Sequence, residues 1–156
     1  MTLVRPARSA GADAVRETLA GAIEAFGPDA YDEREVAAWL PDDADPVLDG
    51  LDEAAQVVVV AEREGAVAGV GRLDANDGEV IAVYVHPDHA RRGVGSTLLA
   101  HLEGHARAAD LSELTLVASL NAVDFYERTG YERVGAVSHE TSDGVELDCV
   151  EMRKEL

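Results

Sequence analysis

The sequence has one cysteine, Cys149, and one lysine, Lys154, among its 156 residues. A single cysteine excludes an intrachain disulfide, so the fold must be held together by its core. Uninterrupted apolar runs such as Val57–Ala61 are far too short to span a bilayer. Met1–Val4 leads directly into Arg5-Pro6 without the apolar segment of a signal peptide. We therefore expect a soluble, cytoplasmic protein.

Basic residues are also scarce, since 13 Lys and Arg stand against 31 Asp and Glu and give a net charge of −18. Binding to nucleic acid or to an anionic membrane depends on clustered Lys and Arg, so neither partner is expected. Abundant acids with almost no lysine are typical of high-salt proteins, and we expect a halophilic source. Disorder is the alternative, but 47% of the residues are hydrophobic, which favours a folded core. The length indicates a single domain over residues 1–156.

Apolar periodicity and turn residues predict one strand, two helices, three strands, a helix, a strand, a helix and two strands. Ser9 or Asp13 is expected to cap the first helix, which runs to about Phe26. Asp32 is expected to cap the second helix, and Glu35 follows three residues later as in a capping box. Pro41–Asp52, which contains two prolines, is predicted to be an acidic loop.

Five of the strands are predicted at Gln56–Glu62, Val67–Leu73, Glu79–Val85, Tyr131–Ser138 and Val145–Arg153. Short turns join the first three as an antiparallel meander. A helix at Val94–Ala108 then carries the chain to a strand at Leu114–Ala118, which implies a parallel pair. Ser119 or Asn121 is expected to cap the last helix, which stops at Gly130. The predicted fold class is α/β (α+β), with a mixed sheet and helices on its faces.

An apolar strand that ends at Val85 is followed by a turn and by a helix start that contains Gly93 and Gly95. The first N–H groups of a helix lack internal partners and carry the positive end of the helix dipole, so they bind phosphate groups. Arg91 and Arg92 are the only adjacent arginines in the chain. A third glycine of the Rossmann fingerprint and the Gly-Lys-Ser/Thr of a Walker A loop are both missing. The alternative is a glycine-containing helix start with two solvent-facing arginines.

The full segment Val83–Ser96 resembles motif A of the GCN5-related N-acetyltransferases (GNAT), and Ser119–Tyr131 resembles their motif B, with Asn121 at a helix start and Phe125-Tyr126 before Gly130. The predicted order of elements is that of the family throughout the chain. One position departs from the pattern, because Ala90 stands where motif A has Gln or Arg. The resemblance implies a mostly antiparallel sheet with one central parallel pair, flanked by helices on both faces.

The resemblance also implies a site for acetyl-coenzyme A, written here as acetyl-CoA. The residues implied to bind it lie on the strand end, the turn with the helix start, and the motif B helix; they are Val83, Tyr84, Val85, Arg91, Arg92, Gly93, Val94, Gly95, Ser96, Asn121 and Tyr126. Val83 and Val85 would pair by their backbone with the pantetheine arm at a splay between two strands, and residues 91–96 would hold the pyrophosphate by backbone N–H groups. The Tyr84 side chain is expected on the opposite face, in a structural role.

The implied reaction is direct attack of a primary amine on the acetyl thioester. A backbone N–H near Val85 would polarise the carbonyl, and Tyr126 would be the acid that protonates the departing thiolate. Strand alternation is expected to put Glu79 on the same face as Val83 and Val85, which makes Glu79 the candidate base. The alternatives are a packed helix tyrosine for Tyr126, and for Glu79 an exposed strand-start residue, with a water chain as the base.

No metal site is predicted. The pair His101 and His105 has zinc-helix spacing, but Glu103 stands one position too late for His-Glu-x-x-His. Cys149 is expected to be packed, and Trp39 either packs in the core or walls the acceptor site. The resemblance implies that the acceptor is a small-molecule amine or a peptide N-terminal amine, and a homodimer is compatible with the family. A non-catalytic acyl-CoA binding or sensing module is the alternative function, and a nucleotide binder is disfavoured by the missing phosphate motifs.

Overall fold

The computed structural model describes residues 1–42, 45 and 47–156. These residues form β1 (Thr2–Pro6), α1 (Ala12–Phe26), α2 (Glu33–Trp39), β2 (Gln56–Arg63), β3 (Ala66–Asp74), β4 (Glu79–Val85), α3 (Val94–Ala108), β5 (Glu113–Ser119), α4 (Val123–Arg128), β6 (Glu132–Glu140) and β7 (Glu146–Glu155). The order is the predicted one, and β4 and α3 have the predicted bounds. Residues 43, 44 and 46 of the predicted loop Pro41–Asp52 lie outside the described residues.

The helix starts differ from one another in how their free N–H groups are satisfied. Asp32 caps α2 as predicted, because its carboxylate accepts the Glu35 N–H at 2.8 Å and the Glu35 carboxylate accepts the Asp32 N–H at 3.0 Å. The expectation that Ser9 or Asp13 caps α1 is wrong. A short 3-10 turn, Ser9–Gly11, leads directly into α1, so Gly11 occupies the cap position and no side chain caps the helix.

The seven strands form one sheet in the order β1-β2-β3-β4-β5-β7-β6, and every pair except β4–β5 is antiparallel. The parallel pair confirms the predicted crossover through α3. It is short, because only Glu79 and Val80 of β4 pair with Thr115 and Leu116 of β5. Beyond Val80 the two strands diverge, which leaves the facing backbone edge of β4 without a strand partner.

A bulge in β4 decides which way its side chains point. Arg72 of β3 pairs with Ala82 and Leu73 pairs with Val80, so Ile81 is an extra residue without a partner. An extra residue interrupts the alternation of faces. The prediction that Glu79 shares a face with Val83 is therefore wrong, because Glu79 lies on the opposite face, with Ala82 and Tyr84.

Helices cover both faces of the sheet, and each face has its own core. On one face, α3 and α4 bury large side chains against the sheet, among them Leu73, Leu98, Leu99, Leu102, Leu114, Leu116, Tyr126 and Met152. On the other face, Val15 of α1 packs against Val58, Val60 and Val70. Tyr31 and Cys149 join α2 to β7 on this same face. No helix in the described ranges is long and apolar enough to cross a bilayer.

The motif B segment begins differently from the prediction. Leu120–Ala122 forms a 3-10 turn and α4 begins only at Val123, with Ala122 in the cap position. Neither Ser119 nor Asn121 caps a helix by its side chain, so that prediction is wrong. The end of α4 is as predicted, since Gly130 has φ +100° and stops the helix. Asn121 is consequently free to use its side chain elsewhere.

Candidate active site

β4 and β5 diverge, and a cleft of about 480 Å³ opens between them, next to the start of α3. Its walls come from β4, the turn before α3, the start of α3, the segment after β5, α4 and the end of α1. Ten of the eleven residues predicted to bind the cofactor line this cleft: Val83, Tyr84, Val85, Arg91, Gly93, Val94, Gly95, Ser96, Asn121 and Tyr126. Arg92 is exposed and is not among the lining residues.

The turn before α3 presents unused hydrogen-bond donors to this cleft. Thr97 donates its N–H to the Gly93 carbonyl at 3.0 Å, and Ala90 donates to the Pro87 carbonyl at 3.2 Å. The N–H groups of residues 91–96, which lie between Ala90 and Thr97, donate to no acceptor within the described part of the chain. Arg91 and Gly93 both have positive φ, +61° and +77°. Alternation of left-handed residues turns successive N–H groups toward one concave side, which is the geometry of an anion-binding nest.

The two glycines of this segment serve different purposes. Gly93 occupies the left-handed cap position of α3, and nothing lies within 4 Å of where a Cβ would stand, so its backbone conformation is the constraint. A Cβ on Gly95 would lie 3.2 Å from two ring atoms of Phe125 and 3.4 Å from Val85. Gly95 thus allows α3 to pack against Phe125 and β4.

Charge around the cleft is positive although the protein is strongly acidic. Arg91 and Arg128 line it, and neither forms an ion pair among the described residues. Asp29 is the one acidic residue in the lining. Unpaired guanidinium groups beside a nest of N–H groups favour a polyanion at this end of the cleft.

Asn121 reaches the cleft with an unused acceptor. Its Oδ1 is buried and has no hydrogen-bond partner among the described residues. A buried carbonyl oxygen without a partner is costly, so it marks a position where a donor from a ligand is expected. The neighbouring Leu120 is held by Tyr31, whose hydroxyl accepts the Leu120 N–H at 3.0 Å and donates to the Asp148 carbonyl at 2.6 Å. The sequence gives no local signal for this contact, because the residues lie 89 positions apart.

Tyr126 lies where the cleft reaches the sheet. It is only 6% exposed, and its ring packs edge-on against Phe125 at 5.1 Å and Tyr131 at 5.7 Å between centroids. Its carbonyl accepts N–H bonds from Thr129 and Tyr131. Burial raises the pKa of the Tyr126 phenol above its ordinary 10, with a smaller contribution from nearby Tyr84. The hydroxyl therefore stays protonated throughout the neutral range.

A buried ionic cluster, absent from the sequence prediction, supports the chain just after Tyr126. The Glu103 carboxylate on α3 accepts hydrogen bonds from the Tyr131 hydroxyl at 3.0 Å and from Lys154 at 3.0 Å. Lys154 also donates to the Thr129 carbonyl at 2.9 Å. The single lysine of the chain thus ties α3 and β7 to the turn that ends α4. The sequence signal that was available is the isolation of Lys154 among twelve arginines.

A second groove of about 350 Å³ opens on the other side of the same splay. We call it the acceptor-side groove. It is lined by Glu79, Ile81, Val117, Val137, Ser138, His139, Leu147 and Cys149, and by six residues that also line the cleft: Trp39, Val83, Tyr84, Ser119, Ala122 and Tyr126. The two cavities therefore meet between β4 and β5, beside Tyr126.

Glu79 lies in this groove and not in the cleft. Its pKa is raised, first by burial and then by the neighbouring carboxylates of Asp77, Asp74 and Glu151. A carboxylate of raised pKa is a stronger base than an exposed one. The structure thus brings Glu79 and Tyr126 to one groove and separates Glu79 from the turn before α3.

Other predicted candidates lie apart from this junction or are packed. The rings of His101 and His105 are in edge contact at 5.0 Å on α3, and no cluster of three or more metal-ligating side chains occurs among the described residues. Cys149 is buried, its Sγ 3.9 Å from the Tyr31 hydroxyl, and burial raises the pKa of its thiol. Trp39 contacts both Tyr31 and Tyr84, at 5.7 and 6.3 Å between centroids, so it belongs to the groove wall as well as to a core cluster.

The mixed sheet with one short parallel pair that splays open is the GNAT acyl-CoA N-acyltransferase fold. The family model described as the acetyltransferase (GNAT) domain matches residues 28–156, and the chain belongs to this family. A solved GCN5-related N-acetyltransferase from Rhodopseudomonas palustris is 28% identical with a TM-score of 0.86, and the match covers 100% of this chain and 96% of that one.

Two further proteins are similar to this chain. The N-acetyltransferase PaiA of Thermoplasma acidophilum, solved in complex with coenzyme A, shares the fold at 15% identity and a TM-score of 0.75, over 100% of this chain and 99% of that one. An amino-acid acetyltransferase of Ectopseudomonas mendocina is 36% identical over 77 residues, which are 47% of this chain and 18% of that protein. The chain spans between 13% and 63% of the length of the curated relatives it matches.

Proposed function

We propose that this protein transfers the acetyl group of acetyl-CoA to a primary amine, by direct attack of the amine at the junction of the cleft and the acceptor-side groove. One observation supports the proposal above all: the cleft and the acceptor-side groove meet beside Tyr126, and their linings differ in charge. One cavity presents free N–H groups and unpaired arginines, and the other contains Glu79. Two substrates that enter from opposite sides would have their reacting atoms brought together between β4 and β5.

The residues of the cleft fit acetyl-CoA. Its pyrophosphate needs several donors, which the N–H groups of residues 91–96 and the Arg91 and Arg128 guanidinium groups offer. Its pantetheine arm carries amide groups, which suit the open backbone edge of β4 and the unpartnered Oδ1 of Asn121. Ala90 has no polar side chain to offer, but a backbone cradle does not require one. Bound there, acetyl-CoA would supply an activated thioester.

The roles of the protein groups follow from their positions. Glu79 would take the proton of the incoming ammonium, directly or through water, because it faces the acceptor-side groove with a raised pKa. The Tyr126 hydroxyl stays protonated and would donate to the sulfur as the C–S bond breaks. The free N–H groups of β4 beyond Val80 would polarise the carbonyl. The nitrogen loses two protons in all. The first passes through Glu79 to solvent, and the second, lost as the amide forms, replaces the proton that Tyr126 gives to the thiolate, so the products are an amide, CoA and one proton.

Ligand-dependent stabilisation tests the binding part of this proposal. We expect acetyl-CoA to raise the melting temperature at molar KCl, since a ligand that binds only the native state stabilises it. ATP and NAD carry a pyrophosphate without the pantetheine arm, and we expect a smaller shift from either. No shift with acetyl-CoA would overturn the proposal. A shift without acetyl transfer to any amine would instead support the non-catalytic acyl-CoA binding module.

A further inference from the structure

The wall of the acceptor-side groove nearest Tyr126 is aromatic. Trp39 and Tyr84 lie 6.3 Å apart between ring centroids, and both belong to the lining together with Tyr126. Aromatic faces contact apolar bodies well, and they also attract ammonium groups through cation–π interaction. This end of the groove therefore suits an amine that is carried on an apolar or aromatic body.

The mouth of the groove is apolar. Ile81 on β4 and Val117 on β5 are each 47% exposed, and they are two of the six large hydrophobic side chains left exposed among the described residues. In a protein with 31 acidic residues, apolar side chains exposed on both sides of one groove mark a contact surface for a ligand. Ile81 is exposed because it is the bulged residue of β4.

Charge in the groove is of one sign. None of its lining residues is Lys or Arg, and Glu79 is the one acidic residue, with His139 as the one histidine. The unpaired Arg91 and Arg128 line the cleft and not this groove. A carboxylate bound beside the reacting amine would lose its hydration, find no cation and face Glu79.

We infer that the acceptor is an alkyl- or arylalkylamine whose reacting amine has no carboxylate next to it, and that free amino acids are excluded. This inference rests on the proposed transfer to an amine at this site and adds the substrate class. It separates this chain from what its similarity to an amino-acid acetyltransferase would imply. An ammonium group is attracted by Glu79 and contacts the rings of Trp39 and Tyr84, whereas an α-carboxylate meets repulsion.

Matched acceptors test the inference. Tryptamine, tryptophan and tryptophanamide have the same ring and amine and differ in the absence, presence or neutralisation of the carboxylate. We expect kcat/KM for tryptamine to exceed that for tryptophan by about tenfold or more, with most of the loss restored in tryptophanamide. Equal or higher kcat/KM for tryptophan would overturn the inference. Calorimetric binding of the three compounds in the presence of CoA gives the same ranking without depending on turnover.

An engineered cation provides the second arm. Val117→Arg places a guanidinium in the groove wall at an exposed position. We expect this substitution to lower the ratio of kcat/KM for tryptamine to kcat/KM for tryptophan by about fivefold or more. Val134→Arg is the matched control, since Val134 is exposed on β6 and does not line the groove, and its ratio should equal that of the wild type. An unchanged ratio in Val117→Arg would contradict the inference.

If tryptamine binds in preference to tryptophan but no variant transfers acetyl, the proposed function fails while the acceptor class stands. If neither compound binds, the acceptor class fails.

Discussion

Glu79 and Val83 point to opposite faces of β4, although they lie four residues apart, because Ile81 between them has no partner on β3. Val83 consequently packs on the α3 side, and Glu79 faces the acceptor-side groove. The bulge thus separates the proposed base, Glu79, from the strand edge that would hold the thioester. It also exposes Ile81 at the mouth of the same groove.

Replacing Glu79 by Gln tests its role as the base. We expect kcat/KM to fall about 100-fold with acetyl-CoA affinity unchanged, because the residue lies outside the cleft. The wild-type rate should fall as the pH drops through a pKa above the ordinary 4.5 of a glutamate, and the variant should lack this limb. If the variant still shows this fall in rate at low pH, the titrating group is not Glu79.

The same substitution has a predicted effect on stability. Because the folded-state pKa of Glu79 is raised, its contribution to stability is present at low pH and is lost as the pH rises through that pKa. At neutral pH the ionised carboxylate therefore disfavours the folded state. We expect Glu79→Gln to unfold at the same or a higher urea concentration than the wild type at pH 7. A lower midpoint would show that the carboxylate stabilises the fold.

Tyr126→Phe removes one hydroxyl from the junction and leaves the ring contacts with Phe125 and Tyr131 in place. We expect kcat to fall about tenfold or more, with little change in acetyl-CoA affinity, because the proposed role of the hydroxyl is to donate a proton as the C–S bond breaks. Steady-state kinetics and calorimetry measure the two quantities. Unchanged kcat would remove Tyr126 from the mechanism and leave it as a packed helix tyrosine.

Asn121→Ala separates ligand binding from folding. The Oδ1 of Asn121 is buried without a partner, so its removal should not lower the free energy of unfolding. If a pantetheine amide donates to this oxygen, the dissociation constant for acetyl-CoA should rise by about 3- to 10-fold. Calorimetry and urea unfolding of the same preparation measure both effects. Unchanged affinity would place the arm elsewhere in the cleft.

Gly95→Ala tests the packing at the start of α3, and Gly104→Ala on the same helix is the control. The new Cβ at position 95 would lie 3.2 Å from the Phe125 ring, whereas position 104 is open. We expect Gly95→Ala to lower the free energy of unfolding by about 1–2 kcal/mol and to weaken acetyl-CoA binding. Gly104→Ala should raise it by about 0.5–1 kcal/mol. Equal effects of the two substitutions would contradict the packing argument.

Salt dependence tests the expectation from composition. With a net charge of −18, repulsion between carboxylates opposes folding, and salt screens it. We expect the melting temperature to rise steadily between about 0.1 M and about 2 M KCl. An equal osmolarity of sucrose controls for general solute effects. A flat melting temperature in KCl would contradict adaptation to high salt.

The sequence predicted the order of elements because each strand and helix carries its own periodicity and turn residues. It missed the bulge at Ile81, since an extra residue in a strand leaves an apolar run unchanged and appears only in the register with β3. The caps predicted at Ser9 or Asp13 and at Ser119 or Asn121 are absent because short 3-10 turns precede both helices. The contacts of Tyr31 with Leu120 and of Lys154 with Glu103 join distant parts of the chain, and no local pattern encodes them.

The turn before α3 was likewise predicted in part. Glycines and an adjacent pair of arginines before a helix predicted an anion site, and the structure shows the free N–H groups that such a site needs. Both Arg91 and Arg92 were predicted to bind the cofactor, but of the two only Arg91 lines the cleft. The orientation of the two side chains depends on the positive φ of Arg91. Arginine rarely adopts a positive φ, so the residue types alone could not predict which side chain faces the cleft.

The most direct test of the account follows both products of one reaction. Purified protein in molar KCl is mixed with acetyl-CoA and tryptamine, and free CoA thiol and acetylated amine are measured together, for the wild type and for Tyr126→Phe. Direct transfer to the amine predicts equal amounts of thiol and N-acetyltryptamine, formed more slowly by the variant although the variant binds acetyl-CoA as tightly. Acetyl-CoA that binds in the cleft without acetylation of tryptamine or of any other amine would contradict it.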